Sequence, residues 1–346
     1  MLSVAVAGTG GFAENHIKTW MKIDGVKIVA ILGSDEERSR LLAKKFGIKT
    51  FYPDLSRFKA EVKELDILDV VNVPSSHVHI ALRLMENYKA VFIEKPLDID
   101  VKKALEFLDV VRNRNISVGV VSQLKFSNAY HRIKESVNGN EIGNIINFTI
   151  NLSNLRGRDY YCCNGGWRDD RSISGGGVLM SQAIHKINFV MGILGYHVDT
   201  VFSFEGPSRY AKNVEEAISV VFKMMDGSTG FLHATSLCSA VSDYIIFEGA
   251  NGIVAIDFKE WDVVKSDNKF SLSKLLKKIC KIRYYKKDTE EVALYNQMND
   301  FVDIVRNKGK GEQNIVEAIN DIIIIKAIYE SISRGHPIKV KDIIHE

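Results

Sequence analysis

Three groups of residues in this chain have types and spacings suited to chemistry. The first is Gly8-Thr9-Gly10-Gly11-Phe12-Ala13, which separates an apolar run from an amphipathic one. Between a strand and a helix such a segment cradles a dinucleotide. Gly8 permits the tight turn, Gly10 lets backbone approach a pyrophosphate, and Ala13 takes the close-packed third position. The helix that follows offers free N–H groups and a positive dipole end to phosphate. The second group is Lys95, which follows the apolar run 90–93 and Glu94 and stands directly before Pro96. A residue before proline is held extended, so the lysine is aimed predictably. At the carboxyl end of a strand it stands where ligands bind in doubly wound sheets. A lysine held there is a cation and a hydrogen-bond donor to an oxygen of a bound ligand. The third group is the loop 159–168, with Tyr160, Trp167 and Arg168. Aromatic faces beside a guanidinium suit a sugar ring with an anionic substituent; Tyr160 and Trp167 equally suit packing at a dimer seam.

One position bears on the choice of dinucleotide. The second strand of an NAD enzyme ends in an acid that reads the ribose 2′-hydroxyl. Here the strand tip reads Ala30-Ile-Leu-Gly33-Ser34, and Asp35 is assigned to the next helix's first turn. Ser34 and Arg38 are assigned instead to a 2′-phosphate. The reading is NAD or NADP, leaning to NADP.

The elements that must position these residues follow from hydrophobic periodicity. Strands are expected at 3–7, 27–32, 67–73, 90–93 and 116–121, with helices at 13–22, 36–46, 77–87 and 101–112 between them. Apolar strands alternating with amphipathic helices predict a parallel sheet covered on both faces. Ser34 with Glu37, and Ser56, are read as capping-box starts, and Asp98 to Asp100 precede the helix at 101. After residue 121 the pattern changes. A helix at 130–137 leads to a strand at 145–152, and a helix spans about 177–194. Strands at 197–204, 217–224, 229–235, 244–248 and 253–258 follow, with Asp226-Gly227 and Asn251-Gly252 as tight turns of an antiparallel sheet. Two helices, 294–305 and 316–333, end the chain. The expected organisation is a dinucleotide-binding domain at 1–121 and a substrate-binding and oligomerisation domain at 122–346.

Composition narrows the function classes. With 346 residues, 46% of them hydrophobic and 26% charged, the chain has an ordinary globular balance and room for about two domains. Its 46 basic and 43 acidic residues leave a net charge of +3, too near neutral to imply nucleic-acid binding. The apolar run 322–325 is too short for a membrane span, and the N-terminus lacks the basic region of a signal peptide. Four cysteines, Cys162, Cys163, Cys238 and Cys280, form no C-x-x-C pair, so the expectation is reduced thiols, no metal and a cytoplasmic protein. The segment 265–287 carries nine Lys or Arg. It is read as a solvated insertion, with a patch for an anionic partner as the alternative.

At Val91-Phe-Ile-Glu94-Lys95-Pro96 a resemblance emerges. Together with the glycine motif and Gly175-Gly-Gly-Val-Leu-Met-Ser181-Gln-Ala-Ile-His185, the sequence resembles the Gfo/Idh/MocA oxidoreductase family. The likeness spans nearly the whole chain, including Asp69 through Pro74 to His77, Gln123-Leu-Lys125-Phe-Ser-Asn and Tyr329 to Gly335. The resemblance implies an α/β fold: an N-terminal Rossmann domain and a C-terminal α/β domain with an open, mostly antiparallel sheet. That sheet carries substrate contacts on one face and forms a homodimer or homotetramer interface. The implied activity is NAD(P)-dependent oxidation of a sugar or polyol alcohol to a ketone, or the reverse. Lys95 and His185 are the implied catalytic pair, His185 as general base and Lys95 orienting the hydroxyl. The glycines before His185 are read as room for a ligand. Pro74, His77 and Glu94 are assigned to the cofactor, His77 near the nicotinamide ribose. Lys125 and Ser181 join Tyr160, Trp167 and Arg168 as substrate contacts. Two positions depart from the family pattern. Ser181 replaces a usual Asp, and in one subgroup an Asn, so it carries no charge. Lys125 replaces a common Arg, a point charge for a fork.

Within the family, the order Tyr-Tyr, Trp-Arg, Gly-Gly-Gly resembles the subgroup that oxidises the 3-hydroxyl of UDP-N-acetylhexosaminuronic acids. Two other readings compete: a nicotinamide-retaining glycosidase that uses transient oxidation, and a non-catalytic NAD(P)-sensing regulator. Net nicotinamide turnover separates the first from a dehydrogenase, and the presence of both Lys95 and His185 argues against the second.

Overall fold

A computed structural model describes residues 1–267, 288–307 and 312–345. Two compact units emerge. The first contains Met1–Gln123 and Glu291–Ile319, the second Leu124–Glu290 and Asn320–Glu346. The first break therefore lies two residues beyond the expected boundary, and a later segment returns to the first unit.

The first unit is built on β1 (Leu2–Ala7), α1 (Gly11–Trp20), β2 (Val26–Leu32), α2 (Glu36–Phe46), β3 (Thr50–Tyr52), α3 (Leu55–Glu61), β4 (Leu65–Val70), α4 (His77–Leu84), β5 (Tyr88–Ile93), α5 (Val101–Arg114) and β6 (Ser117–Val120). The strand order β3-β2-β1-β4-β5-β6 is all parallel, the doubly wound order of a dinucleotide-binding fold. Strand β3 was not legible in the periodicity, because three residues make no pattern. Helix starts differ from expectation by a residue or two. Asp35, not Ser34, caps α2 by accepting from the Arg38 N–H at 3.0 Å. Asp54, not Ser56, caps α3 by accepting from the Arg57 N–H at 2.7 Å. A carboxylate caps as well as a hydroxyl and adds a charge favoured by the dipole. Asp100 caps α5 as expected.

The second unit begins with α6 (Asn128–Asn138) and β7 (Ile145–Leu155), then the short helices α7 (Arg158–Cys162) and α8 (Arg171–Ser174), and α9 (Ile184–Leu194). Strands β8 (Val198–Glu205), β9 (Ala217–Met224), β10 (Thr229–Thr235), β11 (Leu237–Gly249), β12 (Gly252–Asp257) and β13 (Asp262–Asp267) complete its sheet, with Ile338–Lys339 pairing along β8. The order β13-β12-β11-β7-β10-β9-β8 is antiparallel except for the parallel β7–β10 pair. Both predicted tight turns sit in hairpins, β9–β10 and β11–β12. Along β9 and β10, buried and exposed residues alternate, so one face is packed and the other is open. Gly230 is needed on the packed face, where a Cβ would lie 2.1 Å from the Phe148 ring.

The helix α10 (Glu290–Arg306) supplies Met298, Phe301 and Val302 to the core cluster that holds Val4, Ile17, Trp20 and Phe92. It is a core helix of the first unit, although its sequence lies far from that unit's strands. Glu312–Gln313 adds a seventh parallel strand beside β6. The stretch Arg171–Leu194 is apolar and long enough to cross a membrane by composition, yet most of it is buried inside the fold, as in a core helix. Of the basic segment, 268–287 lies outside the described residues. Lys265 pairs with Glu141 at 2.6 Å.

Candidate active site

The glycine loop leaves β1 at the carboxyl edge of the parallel sheet. Gly8 adopts φ +142°, and a Cβ there would lie 2.4 Å from the Val71 carbonyl oxygen. The loop therefore lies against the end of β4 and admits only glycine. Gly10 and Gly11 face open space, with nothing within 4 Å of a Cβ placed on either. Ala13 is fully buried, and Phe12 is exposed. No side chain caps α1, which leaves first-turn N–H groups for an external acceptor. Beside the loop, the buried Asn72 Oδ1 has no hydrogen-bond partner among the described residues; the same holds for Gln123 Oε1 at the end of the unit's first segment. An open glycine cradle, an uncapped helix and an unpaired buried amide oxygen fit a dinucleotide with phosphate and hydroxyl groups.

The missing acid at the tip of β2 has a steric cause. A Cβ on Gly33 would lie 2.4 Å from Thr9 Cγ2 and 2.9 Å from Ser39 Oγ, so no side chain fits there. Ser34 is exposed. Arg38 Nε lies 3.3 Å from Asp35 Oδ2, both side chains half exposed, a pairing that water screens and a ligand can displace.

Lys95 lies two residues beyond β5, next to the end of β4, where the Glu94 N–H donates to Val70 O at 2.9 Å. Glu94 is buried, and both its oxygens are engaged within the protein: Oε1 lies 3.1 Å from His16 Nε2, and Oε2 accepts from the Lys95 N–H at 3.0 Å. Glu94 thus grips the chain that carries Lys95, whereas the sequence assigned it to the cofactor. His77 is also turned inward. Its ring nitrogens lie 2.8 Å from the Pro96 carbonyl oxygen and 3.0 Å from that of Asn72, and burial lowers its proton affinity. It ties the segment after β4 to the segment after β5. Pro74 is buried at the start of the short turn before α4.

In the second unit, His185 stands in the first turn of α9, half buried. The five residues before α9, Leu179–Ala183, form a π-helical turn. Such widened turns recur at functional sites, and α-helical spacing no longer governs the interval from Ser181 to His185. Ser181 Oγ donates to the Gly177 carbonyl at 2.6 Å, an i−4 back-bond. The glycines have a different purpose from the one the sequence suggested. A Cβ on Gly176 would lie 1.8 Å from Tyr329 Oη, and one on Gly177 would lie 1.8 Å from the Glu215 carbonyl oxygen. Protein, not ligand, occupies that space.

Glu215 is the residue that sequence reasoning missed. Fully buried, its carboxylate accepts from the N–H groups of Gly177 at 2.9 Å and Leu179 at 3.0 Å and from Tyr329 Oη–H at 2.9 Å. It caps the segment that carries Ser181 and His185. Burial nonetheless raises its pKa, opposed by those same donors. Its neighbour Glu216, also fully buried, accepts from the backbone of Arg209, Tyr210 and Ala211. Two adjacent acids at the start of an apolar strand were the available signal.

Tyr160, Trp167 and Arg168 come together. The Arg168 guanidinium lies 4.4 Å from the Trp167 ring centroid and 4.7 Å from that of Tyr160. Arg156 approaches the same Tyr160 ring at 5.3 Å. Among the described residues neither arginine has a carboxylate partner, so positive charge collects at this loop. Lys125 lies elsewhere in the unit. Its ammonium is 5.9 Å from the Tyr130 ring centroid and packs against Gly192, which is about 10 Å along α9 from His185.

Residues 2–122 match a family profile described as "Oxidoreductase family, NAD-binding Rossmann fold", and residues 130–255 match the "GFO/IDH/MocA C-terminal domain". Myo-inositol 2-dehydrogenase from Thermotoga maritima is 22% identical over 277 residues, 77% of this chain and 78% of that protein. Oxidoreductase P35 from Formosa agariphila is 24% identical over 268 residues, 76% of this chain and 81% of that protein. The crystal structure of the WlbA dehydrogenase from Bordetella pertussis, in complex with NADH and UDP-GlcNAcA, superposes with a TM-score of 0.82 at 20% identity over 98% of this chain and 97% of that one. With both of its domains matched, this chain belongs to the Gfo/Idh/MocA family of NAD-binding oxidoreductases.

Proposed function

We propose that this protein is an NAD(P)-dependent dehydrogenase that moves a hydride between the nicotinamide and an alcohol carbon of a sugar, sugar nucleotide or cyclitol. The observation that carries the reading is the edge of the parallel sheet. The glycine cradle after β1 and Lys95 after β5 stand at the carboxyl ends of strands that both flank β4, where ligands bind in this fold. The nicotinamide supplies the hydride acceptor or donor. In the oxidation direction, the Lys95 ammonium donates a hydrogen bond to the alcohol oxygen, and a ring nitrogen of His185 takes the hydroxyl proton. Arg156 and Arg168 at Tyr160 and Trp167, without a carboxylate partner among the described residues, favour a substrate with an anionic substituent. This supports the sugar-nucleotide class, as does the likeness to a dehydrogenase that binds UDP-GlcNAcA. The steric exclusion of any side chain at Gly33, with Ser34 and Arg38 beside it, favours NADP over NAD. The open sheet face carries Phe204, Val221 and Phe231, all exposed, and suits a homodimer or homotetramer interface.

A panel of sugars, inositols and UDP-sugars, screened by nicotinamide absorbance with both cofactors, tests the activity. Net reduction with at least one alcohol is expected. Glycoside cleavage without cofactor turnover would replace this reading with the glycosidase one. Calorimetric titration with NADH and NADPH tests the cofactor, and tighter NADH would reverse the preference.

A further inference from the structure

Four polar side chains form an unbroken chain inside the first unit, ending at the residue before Lys95. Trp20 Nε1–H donates to Asp69 Oδ2 at 2.7 Å. His16 Nδ1 lies 3.0 Å from the same oxygen, and His16 Nε2 lies 3.1 Å from Glu94 Oε1. Glu94 Oε2 then accepts from the Lys95 N–H at 3.0 Å. His16, Trp20 and Asp69 are fully buried and Glu94 nearly so. Both ring nitrogens of His16 face carboxylates, which only accept when ionised, so the geometry is satisfied by an imidazolium with two N–H donors. Burial alone would drive that proton off. The charge and hydrogen bond of Asp69, followed by those of Glu94, outweigh it and push His16 up to about 10. Glu94 is in turn held below the usual carboxylate range: burial pulls it up, and His16, then Lys95 and His77, hold it down.

A buried ion triad is a costly way to fill a core, since apolar residues of similar volume do so without the desolvation penalty. Its charge count gives it a use. One imidazolium between two carboxylates leaves a net −1 that water does not screen, one residue from Lys95. His77, the other titratable ring facing this group, is disfavoured as a cation by burial and does not cancel it.

We propose that His16 is a positioning residue for Lys95: backed by Asp69 and Trp20, it clamps the Glu94 carboxylate, which fixes the Lys95 backbone and keeps a negative charge beside the lysine ammonium. The consequence for chemistry rests on Lys95 being the residue that meets the alcohol oxygen. The clamp keeps that lysine protonated and in one place, a donor to the oxygen rather than a competing base for its proton.

The test needs no substrate. Lysines of the full-length protein are reductively methylated with 13C, the Lys95 signal is assigned by its loss in Lys95→Arg, and its titration is followed by NMR in wild type and His16→Gln. Without the imidazolium that holds it ionised, the buried Glu94 takes up a proton, so the negative charge next to Lys95 is lost and the Lys95 midpoint is expected to fall by about one unit or more. A midpoint within about 0.3 unit of wild type would overturn the clamp. Should His16→Gln fail to fold by circular dichroism, Glu94→Gln, which keeps the side-chain size and removes the negative charge beside Lys95 directly, must show the same fall. An active substrate adds a second readout: kcat is expected to fall at least tenfold with KM nearly unchanged. Absence of turnover with every alcohol would sink the dehydrogenase reading and leave the NMR result standing. An unmoved midpoint in an active enzyme would sink only the clamp.

Discussion

Glu215→Ala is the perturbation that most directly tests how the His185 segment is held. The substitution leaves three buried donors facing the vacated position, the N–H groups of Gly177 and Leu179 and the Tyr329 hydroxyl, besides the half-exposed Arg171 guanidinium, 3.5 Å from the carboxylate, which water can satisfy. An unsatisfied buried donor costs about 1–3 kcal/mol. Three of them, allowing for water entering the space, give about 4 kcal/mol of lost stability, a severe effect for one residue. Glu215→Gln keeps one acceptor oxygen but turns an NH2 toward the donors, so about half that loss is expected. Urea unfolding followed by far-UV circular dichroism measures both variants, with the midpoint as the readout and an unchanged slope as evidence that the folded ensemble is the same. If Glu215→Ala loses less than about 1 kcal/mol, the carboxylate is not what caps this segment and the argument fails.

Three further outcomes follow from the geometry. Gly10→Ala should leave thermal stability unchanged, since its Cβ meets nothing, yet weaken NADH binding at least tenfold by filling the pyrophosphate's space; unchanged affinity in a calorimetric titration would remove that loop from the cofactor site. Gly8→Ala should instead destabilise the fold itself, because its Cβ strikes the Val71 carbonyl, and a wild-type melting temperature would contradict the close approach. Asp98, buried with its carboxyl raised to about 6 chiefly by burial, costs stability as pH rises from about 4 through 6, because the folded state holds the proton more tightly. Asp98→Asn should therefore raise the melting temperature at pH 8 by roughly a few degrees and change it little at pH 4; an equal effect at both would show that charge is not the cause.

What the sequence revealed was local. The glycine loop, the alternation of apolar strands with amphipathic helices and the tight turns of the second sheet are all written in residues that are near neighbours. What it concealed was the identity of the partner. The periodicity of Glu290–Arg306 shows an apolar face but not which core receives it, and that face belongs with Trp20 and Phe92. The glycines 176 and 177 announce a close approach without naming the visitor, which proves to be Glu215 and Tyr329. The burial of acids such as Asp69, Glu94 and Glu215 is not legible locally, because charge is seldom buried and distant residues decide where it is. Their real settings, between N–H donors or an imidazolium, exist only after the chain has folded. Ser181 and Lys125 show the reverse case. The resemblance assigned both to substrate contact; in the fold Ser181 bonds its own helix backbone and Lys125 packs beside Gly192.

The central claim is direct hydride transfer from an alcohol carbon to the nicotinamide. The measurement that reaches it is isotopic: turnover of an accepted alcohol deuterated at all its carbons, with the reduced cofactor recovered and read by NMR. Deuterium at C4 of the nicotinamide ring, in one stereochemical position, is the predicted result. Reduced cofactor carrying only solvent hydrogen, or cofactor returned unreduced while substrate is consumed, would contradict it.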